Sequence, residues 1–551
     1  MSERTPDPGA GERPAPRGSP DSGSVAERLW WFRDAREPLP PPPPRLLRWP
    51  RREHTIDAIA CLSLSTLCFS QARSELLFRP GGDFYNLMPL RPAALAAFVL
   101  NVVGLAAVGF LLVYWIRRVR QPAWRRLAAG AAAAAFLVFF NFARLTHELI
   151  SRWTDVAGGF GLLALVVLLL AASLSWPQPA LRVMRALAIV ASPLAVATMA
   201  FALWMFIELA AGPKWRWVDP APLNRAAPSL RRVVWLVFEE LDQRITFEAR
   251  PAGLELPELD RLRRESLYAH AARPPAATTD VAMPALITGR AVVAVAPVNV
   301  RDLELTFKGG KTALWSAEPN VFSRARALGY DTALIGWLLP YPRVLGGALG
   351  LAHWRPSVDY EQARGATIGE ALMSQWASLA PPANRRRLFS RRVAELADVE
   401  IRTAVDDRFG LVLLHLPVPQ PPGIYDRATE RLTAWDFGRE GQGYFDNLAL
   451  ADRIVGELRR GLDRARLGDV TWIVVSATRS WGASKQYDGQ ADPRVPFLVR
   501  PPDGGRARDV DAVFSTLATH DLLLAILRGS ISDTSDAASW LARNTTAWPS
   551  D

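Results

Sequence analysis

The chain has 551 residues, 50% of them hydrophobic, with a mean hydropathy of +0.05 and a formal charge of +11. That apolar share is too high for a purely solvated chain, and it concentrates between about residues 55 and 211. The basic balance does not indicate nucleic acid, because many arginines flank apolar segments and no basic motif with interleaved aromatics occurs. The only cysteines, Cys61 and Cys68, both lie in the first apolar segment, which leaves the second half without a disulfide, a cysteine zinc site or a cysteine nucleophile.

Residues 1–54 are rich in Pro, Gly, Ser and Arg and hold too little apolar surface to fold, which predicts a disordered cytoplasmic tail. The first 50 residues carry no cleavable signal peptide. Five apolar segments follow, at about 55–73, 91–116, 127–149, 157–176 and 183–211, each near the length that crosses a bilayer as a helix. Together, 55–211 is read as a transmembrane domain of five helices.

Arginine placement orients these helices. Arg45, Arg48, Arg51 and Arg52 precede the first, Arg117, Arg118, Arg120, Arg125 and Arg126 separate the second and third, and Arg182 and Arg185 precede the fifth. Such loops face the cytoplasm, so the N-terminus is expected inside and everything after residue 211 outside the cytoplasm, in a multi-pass plasma (inner) membrane protein. Trp204, Trp215 and Trp217 would then sit at the outer interface. Arg144, His147 and Glu148 end the third segment. They are read as interfacial side chains with an Arg144–Glu148 pair one turn apart, against the alternative of contact with a lipid headgroup or a substrate phosphate.

After a linker at 212–229 the pattern changes, and 230–535 reads as an α/β domain followed by a C-terminal tail at 536–551. RRVVWLVFEE, FGLVLLHLPVP, VTWIVVSA and VPFLVRPP read as buried strands, LELPELDRLRRESL and YFDNLALADRIVGELRRGLDRARLG as helices. Buried strands alternating with helices predict a mostly parallel sheet sandwiched by helices, with any site at the carboxyl ends of its strands. The first strand ends on Glu239 and Glu240, carboxylates that suit either a hard cation or the cap of the next helix. Thr278 and Thr279 stand where a helix begins, which fits N-capping or a hydroxyl activated as a nucleophile.

The order of these landmarks resembles the alkaline-phosphatase/sulfatase superfamily over roughly residues 230–530, and in its layout the membrane-anchored branch of lipoteichoic-acid synthases and phosphoethanolamine transferases. The resemblance puts Glu239 at a metal-ligand position and Thr279 at the nucleophile position, five residues before Pro284. Tyr444, Asn447 and Asp452 match a family helix, Arg494, Val495 and Pro496 a following strand, and His520 and Asp521 a late helix. Two places depart from the pattern. Gln420 stands where a second His is expected after His415, and Thr478 and Arg479 replace the Asp-His pair that completes the metal site.

These departures predict a degenerate site in which the Arg479 guanidinium takes the place of the cation and pairs with Glu239 or Glu240. The function expected is that of a sulfatase-like membrane protein, catalytically impaired and without a metal. It would bind the lipid bilayer and an envelope glycan, phospholipid or protein partner, and no nucleic acid. The alternative is an active phosphoester or sulfate-ester hydrolase or transferase that uses Thr279 and Mn²⁺, Zn²⁺, Mg²⁺ or Ca²⁺, with Glu240, Thr278, His415 and Asp488 lining the site.

Overall fold

The structure, a computed structural model, describes residues 52–77, 84–85, 90–139, 168, 171, 175–211, 219–224, 231–357, 367–377, 383–433, 441–502 and 504–544. The chain divides into Met1–Thr55, of which only Arg52–Thr55 are described, as the start of a helix, and Ile56–Asp551, which holds everything that follows. Helix thus begins at Arg52, inside the stretch assigned to the tail.

The described residues of the apolar half are largely helical. Pro92–Arg118 and Ser192–Ala210 are each long and apolar enough to cross a membrane, and Arg52–Cys68 with Ser70–Leu77, bent by 69°, qualifies as a third if the two pieces form one span. On Pro92–Arg118, Leu100, Val103, Val108, Leu111 and Trp115 are exposed, as expected of a helix solvated by lipid. Five spans were expected. The fourth segment and the end of the third, with Arg144, His147 and Glu148, lie largely or wholly outside the described residues, as do Trp215 and Trp217. Pro122–Phe139 is helical and includes Arg125 and Arg126, which the sequence placed in a loop. The fifth segment is two helices, Pro177–Val190 carrying Arg182 and Arg185, and Ser192–Ala211. The break precedes Pro193, which has no N–H to return to the preceding turn.

The second half is built on an eight-stranded sheet whose strands are β1 (Arg232–Glu239), β2 (Leu267–Ala269), β3 (Thr332–Trp337), β4 (Leu351–Arg355), β5 (Leu411–Pro419), β6 (Thr471–Ala477), β7 (Phe497–Arg500) and β8 (Arg508–Val510). Their order is β8-β2-β7-β6-β1-β5-β3-β4. All neighbours are parallel except β6–β7 and β7–β2, so the sheet is mostly parallel as expected. β1 sits near the centre. Val233, Trp235 and Val237 pack into one apolar layer with the Thr279–Thr288 and Ala518–Arg528 helices, and Val234, Leu236 and Phe238 into another with the Gln442–Arg464 helix. A core Val, Leu or Phe stabilises by about 1.5–3 kcal/mol, which is why the apolar run Val233–Phe238 takes this place.

The four strands expected from sequence are β1, β5, β6 and β7; β2, β3, β4 and β8 escaped it. So did a three-stranded sheet from Val292 to Leu314. The expected C-terminal tail is instead the Thr534–Asn544 helix up to Asn544, with Ala537 and Leu541 buried in the core. The linker is also fastened down: Ala221 N–H donates to Leu349 O (2.8 Å) and Asn224 N–H to Asp331 Oδ1 (2.9 Å).

The α/β domain and the apolar helices are joined by more than this linker. The Ile368–Ala377 helix of the domain lies against Pro92–Arg118. There Asn101 Nδ2 donates to Gln375 Oε1 (2.9 Å), Gln375 Nε2 donates to Ala94 O (3.0 Å), and Phe69 meets Trp376 edge-on. Arg343 Nη1 donates to Phe84 O (2.6 Å), and the Phe84 ring is buried in the core of the domain.

Candidate functional site

The site is assembled at the carboxyl ends of adjacent parallel strands. β1 and β5 are in register from Val233↔Leu411 to Phe238↔Leu416, so His415 lies opposite Val237 and shares its face of the sheet. Glu239 is two residues beyond Val237 and falls on that same face. The register then shifts to Glu239↔Pro419, and Glu240 turns into the left-handed region at φ 62°, which ends the strand. Thr478 follows β6 directly and donates its N–H to Phe238 O (2.9 Å).

Glu239 is the hub. Thr279 Oγ1 donates to Glu239 Oε2 (2.7 Å), Thr478 Oγ1 donates to the same oxygen (2.8 Å), and His415 Nε2 lies 2.8 Å from Oε1. His415 Nδ1 lies 2.7 Å from Tyr341 OH. One arrangement satisfies every atom: Tyr341 OH donates to Nδ1, and Nε2–H donates to the carboxylate. All five side chains are buried. Burial pushes the Glu239 carboxyl up, but His415, Thr279 and Thr478 outweigh it and hold it below the usual range. Burial, helped by the charge of Glu239, raises the Tyr341 phenol well above its usual value, which keeps it a neutral donor.

Beside the hub lies an ion pair. Arg479 Nη2 is 2.5 Å from Glu240 Oε1, so of the two carboxylates the guanidinium pairs with Glu240. Burial still prevails over Arg479, and with the nearby charge of Glu239 it pushes the Glu240 carboxyl up to about 7. Burial also pushes Asp242 up to about 6. Tyr444 OH donates to Glu240 O (2.7 Å) and its ring stacks on Trp481 at 4.1 Å.

Glu239, Thr279, His415 and Thr478 are therefore brought together, with Glu240 and Arg479 adjoining. Three other expected residues serve elsewhere. Thr278 takes the N-cap position of the Thr279–Thr288 helix, but its side chain makes no capping bond. Asp488 pairs with Arg244 (2.6 Å), so it is no replacement ligand. Gln420 contributes its backbone carbonyl to Asn447 Nδ2 (3.0 Å) rather than a side chain to the hub. Asn447 also accepts from Ile424 N–H and so fixes the loop after β5, and Asp452 accepts from Leu259 N–H in the first turn of the Pro257–Arg264 helix.

Tyr341 was missed. It opens a short helix after β3, a strand the sequence did not reveal, and no motif marks it. The signal available was Gly336. A Cβ there would come within 2.3 Å of the Tyr341 ring, so only glycine leaves room for the phenol that orients His415. Gly336→Ala is expected to cost about 1–3 kcal/mol through this overlap, read as a lowered thermal unfolding midpoint of the full-length protein.

A divalent cation needs acids and imidazoles that face one point. Here the acid and the imidazole bond each other, the second oxygen of Glu239 is taken by two hydroxyls, and Glu240 is neutralised by Arg479. Among the described residues, no three His, Cys, Asp or Glu side chains converge as a metal site. This donor set does not fit a metal.

No protein-family profile matches the chain, and no curated protein matches it. Solved structures similar to part of it include PsFucS1 sulfatase from Pseudoalteromonas sp., at 15% identity and a TM-score of 0.37, covering 55% of this chain and 68% of that one. The phosphonate monoester hydrolase of Agrobacterium radiobacter is similar at 16% identity and a TM-score of 0.35, covering 54% of this chain and 74% of that one. An alkaline-phosphatase-superfamily protein from Vibrio parahaemolyticus is similar at 13% identity and a TM-score of 0.36, covering 56% and 68% of the two chains.

Proposed function

We propose that this protein is a membrane-anchored relative of the sulfatases and alkaline phosphatases whose ester-cleaving site is closed, and that it acts by binding at the cell envelope. The observation that supports this most is the state of Glu239, whose two oxygens already accept three bonds from buried partners. A nucleophile must reach its substrate, yet the Thr279 hydroxyl is buried and points at an ionised carboxylate. A carboxylate held below its usual range is also a weak base toward that hydroxyl. The arginines at the end of Pro92–Arg118 and on the two helices that follow, Pro122–Phe139 and Pro177–Val190, favour a cytoplasmic location for that end and an extracytoplasmic α/β domain.

A second reading keeps Thr279 as the nucleophile of a phosphoester or sulfate-ester hydrolase or transferase, favoured by its 2.7 Å bond to Glu239. One assay separates the two. Full-length protein in detergent is given aryl phosphate, phosphodiester and sulfate substrates with Mn²⁺, Zn²⁺, Mg²⁺ or Ca²⁺, and Thr279→Ala serves as control. Turnover no higher than the control is expected; metal-dependent turnover that Thr279→Ala abolishes would establish the second reading.

A further inference from the structure

Between the apolar helices lies a cavity of about 460 Å³ that the α/β site does not use. Its walls come from four helices and are mostly apolar, with Leu64, Leu105, Val108 and Leu112 among them. At one end the lining changes to Arg117, Arg125, Arg182 and Arg185 with Asp57 as the single acid. Asp57 is buried and engages two of these arginines, Arg117 Nη2 at 2.7 Å and Arg185 Nη2 at 3.4 Å. Among the described residues, Arg125 and Arg182 have no acid within ion-pair distance. The buried Nε of Arg185 also lacks a partner. Four guanidinium groups against one carboxylate leave the polar end strongly cationic, while the body of the cavity accepts only hydrocarbon.

We infer that this cavity binds one anionic phospholipid, an acyl chain among the apolar side chains and the phosphate on Arg125, Arg182 and Arg185. A ligand pocket of this size holds about one acyl chain. Basic pockets between membrane helices recognise lipid phosphates through the arginine geometry that pairs with phosphate oxygens. A soluble anion would gain nothing from the apolar body, and an uncharged lipid nothing from the arginines. The inference rests on the reading of these helices as membrane spans, and not on the state of the Glu239 site.

The wall offers two handles. A Cβ on Gly109 would lie 3.6 Å from Cys61 Sγ, so a large side chain there enters the cavity. Cys61 itself lines the cavity and, with Cys68 changed to Ser, is the single thiol of the chain. Native mass spectrometry of the full-length protein in detergent would compare dioleoylphosphatidylglycerol, dioleoylphosphatidylcholine and inorganic phosphate.

Phosphatidylglycerol is expected to bind about tenfold tighter than phosphatidylcholine, and Arg125→Gln/Arg182→Gln to remove about that factor. Gly109→Phe should abolish binding, and bound phosphatidylglycerol should slow alkylation of Cys61 in the Cys68→Ser background, which maps the lipid even if Gly109→Phe fails to fold. Equal binding of both lipids, or affinity unchanged in the arginine variant, overturns the inference. So does displacement of phosphatidylglycerol by inorganic phosphate at equal concentration, which would make the site one for free anions. None of these readouts depends on ester turnover, so failure here leaves the assay of the Glu239 site untouched.

Discussion

His415→Leu will destabilise the protein by about 3–5 kcal/mol, among the largest losses any single substitution will cause. The change leaves Glu239 Oε1 and the Tyr341 hydroxyl buried without partners, and an unpaired buried carboxylate is the costlier of the two. Glu239→Leu will be destabilising as well, since it strands the Thr279 hydroxyl and His415 Nε2 and leaves the Thr478 hydroxyl only its 3.4 Å bond to Phe238 O. The two changes will not add. The double variant will be more stable than the sum of the single losses predicts by about 2 kcal/mol, because the charge left unpaired in His415→Leu is then gone. Thermal unfolding of the full-length protein in detergent, followed by the fluorescence of its 20 tryptophans, measures the cycle. Strictly additive losses would show that Glu239 and His415 are not the coupled pair described above.

Glu400→Gln will flatten the alkaline side of the stability profile. Glu400 is buried in the Ala383–Ala404 helix, and one of its oxygens has no hydrogen-bond partner. Burial pushes its carboxyl up to about 8 from an ordinary 4.5. Between those values the folded chain keeps a proton that the unfolded chain has given up. Stability therefore falls as pH rises from about 4.5, and this group's share of the loss is complete above about 8. That share is on the order of 4 kcal/mol, which in a domain of this size moves the unfolding midpoint by roughly 5–10 °C. The amide cannot ionise, so the gap in midpoint between pH 5.5 and 8.5, which spans about 2.5 of those 3.5 pH units, should narrow by roughly two-thirds of that amount in Glu400→Gln. Glu240 and Asp242, raised to about 7 and 6, will keep a smaller slope in both proteins. A variant that loses stability with pH as steeply as the wild type would refute the assignment.

Much of the second half was legible in advance. β1, β5, β6 and β7 each carry a run of apolar residues that no surface could hold, so the sequence marks them as buried. Glu239 and Thr478 were legible because each stands at the end of such a strand, where a parallel sheet gathers its polar groups, whereas Thr279 at a helix start and His415 within β5 were marked by the order of landmarks that resembles the superfamily. The pairing of Arg479 with a neighbouring carboxylate followed from its place in the family pattern together with charge, since two adjacent acids at a buried strand end require a cation. β2 and β8 have three residues each, too short to carry a period, and they form only because β7 and then β2 offer an edge. β3 and the Tyr341 that follows it are recruited across a separation of 74 residues from His415. The only apolar residues that the Thr534–Asn544 helix fully buries are Ala537 and Leu541, a stripe too narrow to set it apart from a tail.

The sequence by itself determined that this chain has an apolar half, largely helical where it is described, and an α/β half, and which strands carry acids, hydroxyls and a histidine near their ends. Local pattern and composition suffice for that, because burial is decided residue by residue. Tertiary structure alone decided which carboxylate meets which donor. It gave His415 to Glu239 and Arg479 to Glu240, sent Asp488 to Arg244, and set the Ile368–Ala377 helix against Pro92–Arg118. Those choices depend on register, on a bulge after Phe238 and on the approach of segments far apart in the chain. Hydrogen bonds act over about 3 Å, a precision that spacing along a sequence does not carry.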